Sequence, residues 1–508
     1  MPNKILTLDE LADKSADYSR QGQRVVLCHG TFDLMHAGHI RHLQQARAAG
    51  DVLLVTVTAD AYVNKGPGRP VFSDTLRVET LAALACVDHV AVNHDVTSIE
   101  LIKKVKPSLY VKGSDYKSAE NDLTGNITHE AQAVQEGGGE IFFTDDITFS
   151  SSTLLNEHFG VFSSETRDYL RKFNVTYQNS DVIGMLKTLG ELKVLVVGDA
   201  IVDEYHYTTP LGQTGKGNVL AVKYNTQEQF AGGSIAVANH VAGFVKDVTL
   251  VAGLGKTDSH EAFIRSKLAE NITPIFFYRE DAPTVVKRRF VDADMAKLFE
   301  VYFFNEDPMP ETLEVEICAW LEEKVAEFDV VMVPDYGNGF ITNAMIQRLC
   351  DHSRFLAVNT QINSGNRGYH VISRYRRADF ISLNEPELRL AAHSRQEPLE
   401  DVAEYVGSML SAPYMAVTRG TKGVFMADRK HDKRHVTPAL STKVLDRIGA
   451  GDAFLSLASL CLGAGMPSEI ASFVGSAAAA LDVQIVCNRE PISSVILFKY
   501  ITTLLKWS

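Results

Sequence analysis

Apolar blocks alternate along the chain with stretches in which apolar residues recur three and four positions apart. Val25-Val26-Leu27-Cys28 and Val52-Leu53-Leu54-Val55-Thr56-Val57 read as buried strands. Between them Ile40 to Ala46 carries apolar residues at helical spacing and stops at Gly50. Strand, glycine-bearing turn, helix and strand in that order open a parallel α/β sheet. The same reading predicts an amphipathic helix over 8–21 capped by Thr7 or Asp9, a helix over 74–86, a strand at Val90-Ala91-Val92, a helix over 98–105, and strands at 109–111 and 141–143. Residues 158–188 read as a polar connector with two short helices. A second α/β unit opens at Lys193-Val194-Leu195-Val196-Val197-Gly198-Asp199. It continues through a small-residue helix over 234–244 and an apolar helix running from Gly449 through Cys461. The predicted division is 1–157, 158–188 and 189–508.

Composition narrows the class. The 508 residues, 45% hydrophobic and 22% charged, suffice for two or three domains with sizeable cores. A net charge of −13 argues against nucleic acid or an anionic membrane as partner. Six scattered cysteines without a C-x-x-C pair fit reduced thiols in a cytosolic protein. The opening residues lack the apolar run of a signal peptide, and no stretch is long enough to span a membrane. The expected location is therefore cytoplasmic.

The turn after the first strand, His29 to His39, concentrates the chemistry. His36 and His39 are three apart at the start of a helix, where free N–H groups and the helix dipole attract anions. Gly30 lets backbone approach a phosphate. Two imidazoles there can donate to a phosphorus centre as it gains charge. A zinc site would want a third ligand and usually i, i+4 spacing. Further along, the loop Asn64 to Pro70 carries Lys65 and Arg69 and suits a triphosphate, and Arg77 on the next helix can reach the same phosphates. Asp115 can accept from a ribose hydroxyl, and Ser151, Ser152 and Thr153 offer hydroxyl donors at a helix start.

Gly30-Thr31-Phe32-Asp33 followed by His36-Ala37-Gly38-His39 resembles the HxGH signature of the nucleotidyltransferase superfamily. The resemblance implies a Rossmann-like domain in which a sugar or alditol phosphate attacks the α-phosphorus of a nucleoside triphosphate and releases pyrophosphate. It makes His36 and His39 catalytic and places Gly30, Thr31, Phe32 and Asp33 on the nucleotide. Over residues 5–157, Lys65 to Val71, Leu81 to Leu84, Val111 to Tyr116 and Ser152-Thr153 are similar to the transferase half of bifunctional heptose-phosphate kinase/adenylyltransferases. The Gly30 to Asp33 wording is nearer to cytidylyltransferases, so ATP and CTP both stay open.

In the second unit, Gly449-Ala450-Gly451 at a helix start forms a nest of N–H groups suited to a transferring phosphoryl group, and Asp452 can take the proton of an attacking hydroxyl. Together with Gly198-Asp199, Asp203, Gly232-Gly233, Asn384-Glu385-Pro386-Glu387 and Val417 to Gly423, this order resembles the ribokinase-like PfkB carbohydrate kinases over about residues 190–508. The resemblance implies Asp452 as base and Gly449, Ala450 and Gly451 as anion hole. It places Asp203, Gly232 and Gly233 on the sugar and lines the ATP side with Thr418, Arg419, Gly420 and Gly423. Asn384 and Glu387 would organise phosphate and magnesium, Glu387 indirectly. Asp335-Tyr336-Gly337 is similar to a heptose-kinase segment. Ala236, Asn338 and Asn359-Thr360-Gln361 depart from that pattern, and the two halves stand in the reverse of the order usual for the heptose enzymes.

The expectation is thus an α/β protein with an HxGH nucleotidyltransferase domain followed by a ribokinase-like domain, using magnesium with ATP or CTP and acting on a sugar phosphate. A homodimer through the kinase domain is implied by the resemblance. The rival readings are a CDP-alditol or CDP-sugar synthase, and a second half that is a non-catalytic binding or dimerisation module.

Overall fold

Because the strands of a parallel sheet are covered on both faces, alternate residues of one strand serve two cores. Val26 and Cys28 of β1 (Val25–Gly30) pack with Leu43, Ala46, Val78 and Leu81. Val25 and Leu27 of the same strand pack with Leu11, Leu101, Ile102 and Val134 on the other face. This computed structural model describes residues 4–63, 69–113, 126–144, 162–366 and 368–506. The chain divides into two units, Met1–Ser163 with Phe498–Ser508, and Ser164–Leu497.

In the first unit β2 (Val52–Thr58), β3 (His89–Asn93), β4 (Leu109–Gly113) and β5 (Glu140–Thr144) join β1 in the parallel order β3-β2-β1-β4-β5. The order reverses between β1 and β4, and the turn after β1 lies at that switch point, where ligands of such sheets bind. The first helix spans Leu8–Arg20, and Thr7, one of the two expected caps, closes a capping box with Glu10.

The second unit is built on β6 (Lys193–Gln213), three times the length the apolar block predicts. Residues through Gly198 lie in a core sheet, where β6 pairs in parallel with β8 (Asp247–Thr257) and β12 (Val330–Asp335), and β8 in turn with β9 (Ile272–Pro283). Beyond Asp199 the strand leaves that core. It pairs antiparallel with β7 (Leu220–Gly233) and parallel with β10 (Val285–Val291), which pairs with β11 (Lys297–Phe303). The extension has a partner on each side and so stays a strand after its apolar run ends. The core sheet continues from β12 through β13 (Leu356–Thr360), β14 (Phe380–Asn384) and β15 (Tyr414–Thr418), all parallel. Among the described residues no helix is long and apolar enough to cross a membrane.

The helices Ser164–Thr176 and Asn179–Lys187, read from sequence as connector, group with the second unit. Phe173 is buried with its ring 4.2 Å from that of Phe473, and the Tyr169 hydroxyl lies 3.3 Å from Thr437 Oγ1. Phe173→Ala should cost roughly 3–5 kcal/mol, the usual loss for deleting a buried ring. Calorimetry of the full chain should show the transition of the second unit falling and that of the first unchanged.

Candidate functional site

In the first unit the helix Ala37–Ala48 starts just beyond His36, which is its N-cap: His36 Nδ1 accepts the Gly38 N–H at 3.1 Å. In the neutral ring the proton therefore sits on Nε2, making that nitrogen a donor. His39 stacks on His36 with centroids 4.0 Å apart, and Phe32 meets His39 edge-on at 5.6 Å. Phe32 reaches this position with φ of +48°, a conformation uncommon for a bulky residue. At Gly30 a Cβ would come within 3.1 Å of the Phe32 ring. The structure thus brings Gly30, Phe32, His36 and His39 together at one helix N-terminus.

Arg77 and Asp33 correct the sequence reading. Arg77 is fully buried, and its nitrogens donate to Thr31 O at 2.7 Å, Phe72 O at 3.0 Å, Thr58 O at 2.8 Å and Asp60 Oδ1 at 2.6 Å. It braces the turn from behind and presents no free fork to a triphosphate. The Asp33 carboxylate accepts the N–H groups of Val71 at 2.9 Å and Phe72 at 3.0 Å, so it anchors the following loop. The buried Thr31 contributes the carbonyl that Arg77 binds. Lys65, Asp115, Ser151, Ser152 and Thr153 lie outside the described residues.

The second unit encloses a cavity of about 1790 Å³. Asp203, Gly233, Asn384, Thr418 and Asp452 line it, as do Gly420, Gly423 and the whole Gly449-Ala450-Gly451 turn. Gly449 is the N-cap of the helix Ala450–Gly463 with φ of +100°, and a Cβ there would meet Asn488 Oδ1 at 2.4 Å and Asp482 Oδ2 at 2.7 Å. Asp452 sits in the first turn and its Oδ1 accepts the Tyr336 hydroxyl at 2.6 Å. Burial pushes the Asp452 carboxyl up to about 7, Asp203 adding to the rise, while Tyr336 and Lys287 oppose it. That value suits a general base near neutrality.

Asp203 on β6 is buried and paired with Arg289 on β10. Gly232 does not line the cavity. A Cβ there would stand 2.0 Å from Asp203 Oδ2, so its part is to let that carboxylate in. Glu387 has a structural part as well. Asn384 and Glu387 form a capping box: Asn384 Oδ1 accepts the Glu387 N–H at 2.8 Å and Glu387 Oε2 the Asn384 N–H at 2.9 Å. Glu387 Oε1 accepts the Ile362 N–H at 3.2 Å. Each carboxylate oxygen thus accepts a backbone N–H, and the buried side chain shapes the helix entry. Among the described residues no group of three or more His, Cys, Asp or Glu is arranged to hold a metal ion.

Of the departures noted in the sequence, Ala236 is buried in the helix Ser234–Ala242 and Asn359 donates to Ser382 O at 2.8 Å. Gln361 lines the cavity. The sequence reading missed Lys287 and Arg289 as cavity residues and gave Tyr336 no role. A signal for the first two exists, because charges two apart in Val285-Val286-Lys287-Arg288-Arg289-Phe290-Val291 share one face of a strand.

The profile described as pfkB family carbohydrate kinase matches residues 191–492, and the one described as cytidylyltransferase-like matches residues 27–158. Among curated proteins, the bifunctional protein HldE of Syntrophotalea carbinolica is 36% identical over 157 residues, 30% of this chain and 31% of that protein. The bifunctional protein HldE of Ectopseudomonas mendocina is 39% identical over 155 residues, with the same two shares of 30% and 31%. The match therefore spans 31% of the length of these relatives. Among solved structures, ribokinase of Thermotoga maritima has a TM-score of 0.49 at 19% identity, covering 60% of this chain and 98% of that one. Arabidopsis thaliana ribokinase complexed with ribose and ATP has a TM-score of 0.48 at 18% identity, covering 62% and 99%.

If Asp452 must be ionised to act, sugar-dependent kcat/KM should fall tenfold per pH unit below about 7 and level off above it. Tyr336→Phe removes a donor to the charged form, so the acid limb should move to higher pH. Initial rates across pH 5 to 9 check both (roughly the range in which a general base near neutrality titrates).

Proposed function

Because the chain belongs to the pfkB family of carbohydrate kinases and carries a cytidylyltransferase-like domain ahead of it, we propose that it is a bifunctional enzyme making a nucleotide-activated sugar. In the second unit a sugar-phosphate hydroxyl gives its proton to Asp452 and attacks the γ-phosphorus of ATP in line. The N–H groups of the Gly449-Ala450-Gly451 turn take up charge on the transferring oxygens, and ADP leaves. Asp203 holds the sugar, and Thr418, Arg419, Gly420 and Gly423 flank the nucleotide. The observation that carries this reading is the Asp452 carboxylate, held by Tyr336 beside a glycine-rich helix N-terminus on the cavity wall. Magnesium enters as the ATP complex, held largely by phosphates and water.

In the first unit a phosphate oxygen of a sugar 1-phosphate attacks the α-phosphorus of the nucleoside triphosphate and pyrophosphate leaves. His36 and His39 donate to the phosphoryl oxygens as charge builds there. Their stacking at the helix N-terminus supports these roles, as does the likeness to the bifunctional HldE proteins. The activated sugar is of the ADP-heptose kind, destined for glycan assembly. A second reading, cytidylyl transfer to a sugar or alditol phosphate, is favoured by the Gly30-Thr31-Phe32-Asp33 wording and by the cytidylyltransferase-like match. Six free cysteines suit a cytoplasmic setting. The exposed Tyr224, Phe299 and Phe303 on the strands β7 and β11 support a homodimer through this unit.

Pyrophosphate release with ATP or CTP, against heptose 1-phosphate and glycerol 3-phosphate, separates the two readings. ATP with the heptose phosphate is the expected pair; turnover of CTP with glycerol phosphate alone would replace the first reading by the second. His39→Ala should slow nucleotidyl transfer by roughly two to three orders of magnitude, the scale of losing one transition-state donor. Asp452→Asn should abolish sugar-dependent ADP formation and leave pyrophosphate release intact. Undiminished ADP formation in that variant would exclude Asp452 as the base.

A further inference from the structure

Lys287 lies on β10, is only 6% exposed, and lines the cavity. A buried ammonium is costly unless an anion or an acceptor meets it. Among the described residues no hydrogen bond or ion pair engages its Nζ, and each neighbouring acid has a donor of its own. Asp203, its register partner on β6, is paired with Arg289. Asp199 accepts the Phe340 N–H at 3.3 Å, and Asp452 accepts the Tyr336 hydroxyl at 2.6 Å. What Lys287 has instead are two ring faces: Nζ is 5.6 Å from the centroid of Tyr336 and 5.8 Å from that of Tyr302. Tyr336 is the residue that holds the base, so the ammonium stands one ring away from the reacting centre. Arg289, the other inward cation of the strand, is occupied by Asp203 and by Glu300 at 3.0 Å. Burial draws the Lys287 amine below the usual lysine range, Asp203 working against that, and an arriving anion would restore it.

We infer that Lys287 is a substrate-contacting residue whose ammonium binds a phosphoryl oxygen in the kinase cavity, either of the phosphate already carried by the sugar or of the group in transfer. This rests on the kinase reading above and adds to it the residue that reads the phosphate. The site needs an anion because the ammonium has no counter-charge in contact, and phosphoryl oxygen is the anionic chemistry that both substrates of such a kinase bring.

The test is Lys287→Met in the full chain, with ADP formation measured against heptose 7-phosphate and free heptose. If the sugar's own phosphate is the ligand, KM for heptose 7-phosphate rises roughly ten- to a hundredfold, the worth of one charge-assisted contact, and free heptose is unaffected. If the group in transfer is the ligand, kcat falls for both sugars while KM holds. Lys287→Arg should keep part of either effect. Constants within about twofold of wild type on both sugars (well short of a tenfold step) would overturn the proposal. A melt supplies the readout that needs no turnover. Inorganic phosphate should raise the Tm of the wild-type second unit more than that of Lys287→Met, and equal shifts would overturn the proposal. The variant alone should melt no lower than wild type, since an apolar side chain of similar length relieves a buried cation. If the wild type phosphorylates neither sugar, the kinase reading fails on that ground, and the melt still decides the case for Lys287.

Discussion

The kinase unit depends on keeping four carboxylates near one another, around the middle of β6, the end of β12 and one helix start. Asp199 and Asp203 lie on β6, Asp335 ends β12, and Asp452 opens the helix that faces them. Asp199, pushed up to about 6 by burial and then by Asp335, accepts N–H groups of the turn after β12. Asp335 takes the Tyr375 hydroxyl at 3.0 Å and the Gly337 N–H at 3.1 Å. Asp203 takes Arg289, and Asp452 takes Tyr336. Assigning each acid a separate donor prevents two carboxylates from competing for one proton, and leaves Asp452 near the pKa that a base for a hydroxyl requires.

Much of this arrangement was legible from residue order. The apolar blocks at Val25 and Val52, the histidines after Gly30 and the Gly449–Asp452 turn each announce a strand end or a helix start. What the order could not convey is direction. Arg77 sits on a helix next to a phosphate-binding turn, yet it closes on carbonyls of Thr31, Thr58 and Phe72, partners that only the assembled sheet brings together. Asn-x-x-Glu is also the pattern of a capping box, and at Asn384 and Glu387 the side chains satisfy the local backbone donors. Lys287 stayed hidden for another reason. The spacing of Lys287 and Arg289 marks a shared strand face, but which face lines the cavity appears only when β10 lines up with Asp203.

In the proposed reactions the two units take up charge by different means. In the first, stacked imidazoles at a helix N-terminus offer donors from side chains, and the backbone is held by Arg77 and Asp33 from behind. In the second, glycine lets the backbone itself be the donor, and Gly449 is fixed in its left-handed conformation where a methyl group would strike Asn488 and Asp482. Side-chain donors can rotate as charge develops, whereas a backbone nest is set in place beforehand. Under those proposed roles the first site is sensitive to which residue stands at 36 or 39, and the second to a side chain at 449.

β6 belongs to both sheets of the second unit, and Asp203 stands just past the point where it leaves one for the other. Gly232 on β7 pairs with Ile201 of β6, one residue before β7 ends. Any flexing of the outer sheet against the core is thus a pivot about the residues assigned to the sugar. Under the proposed reading, a ligand held by Asp203 is therefore coupled to the angle of the outer sheet.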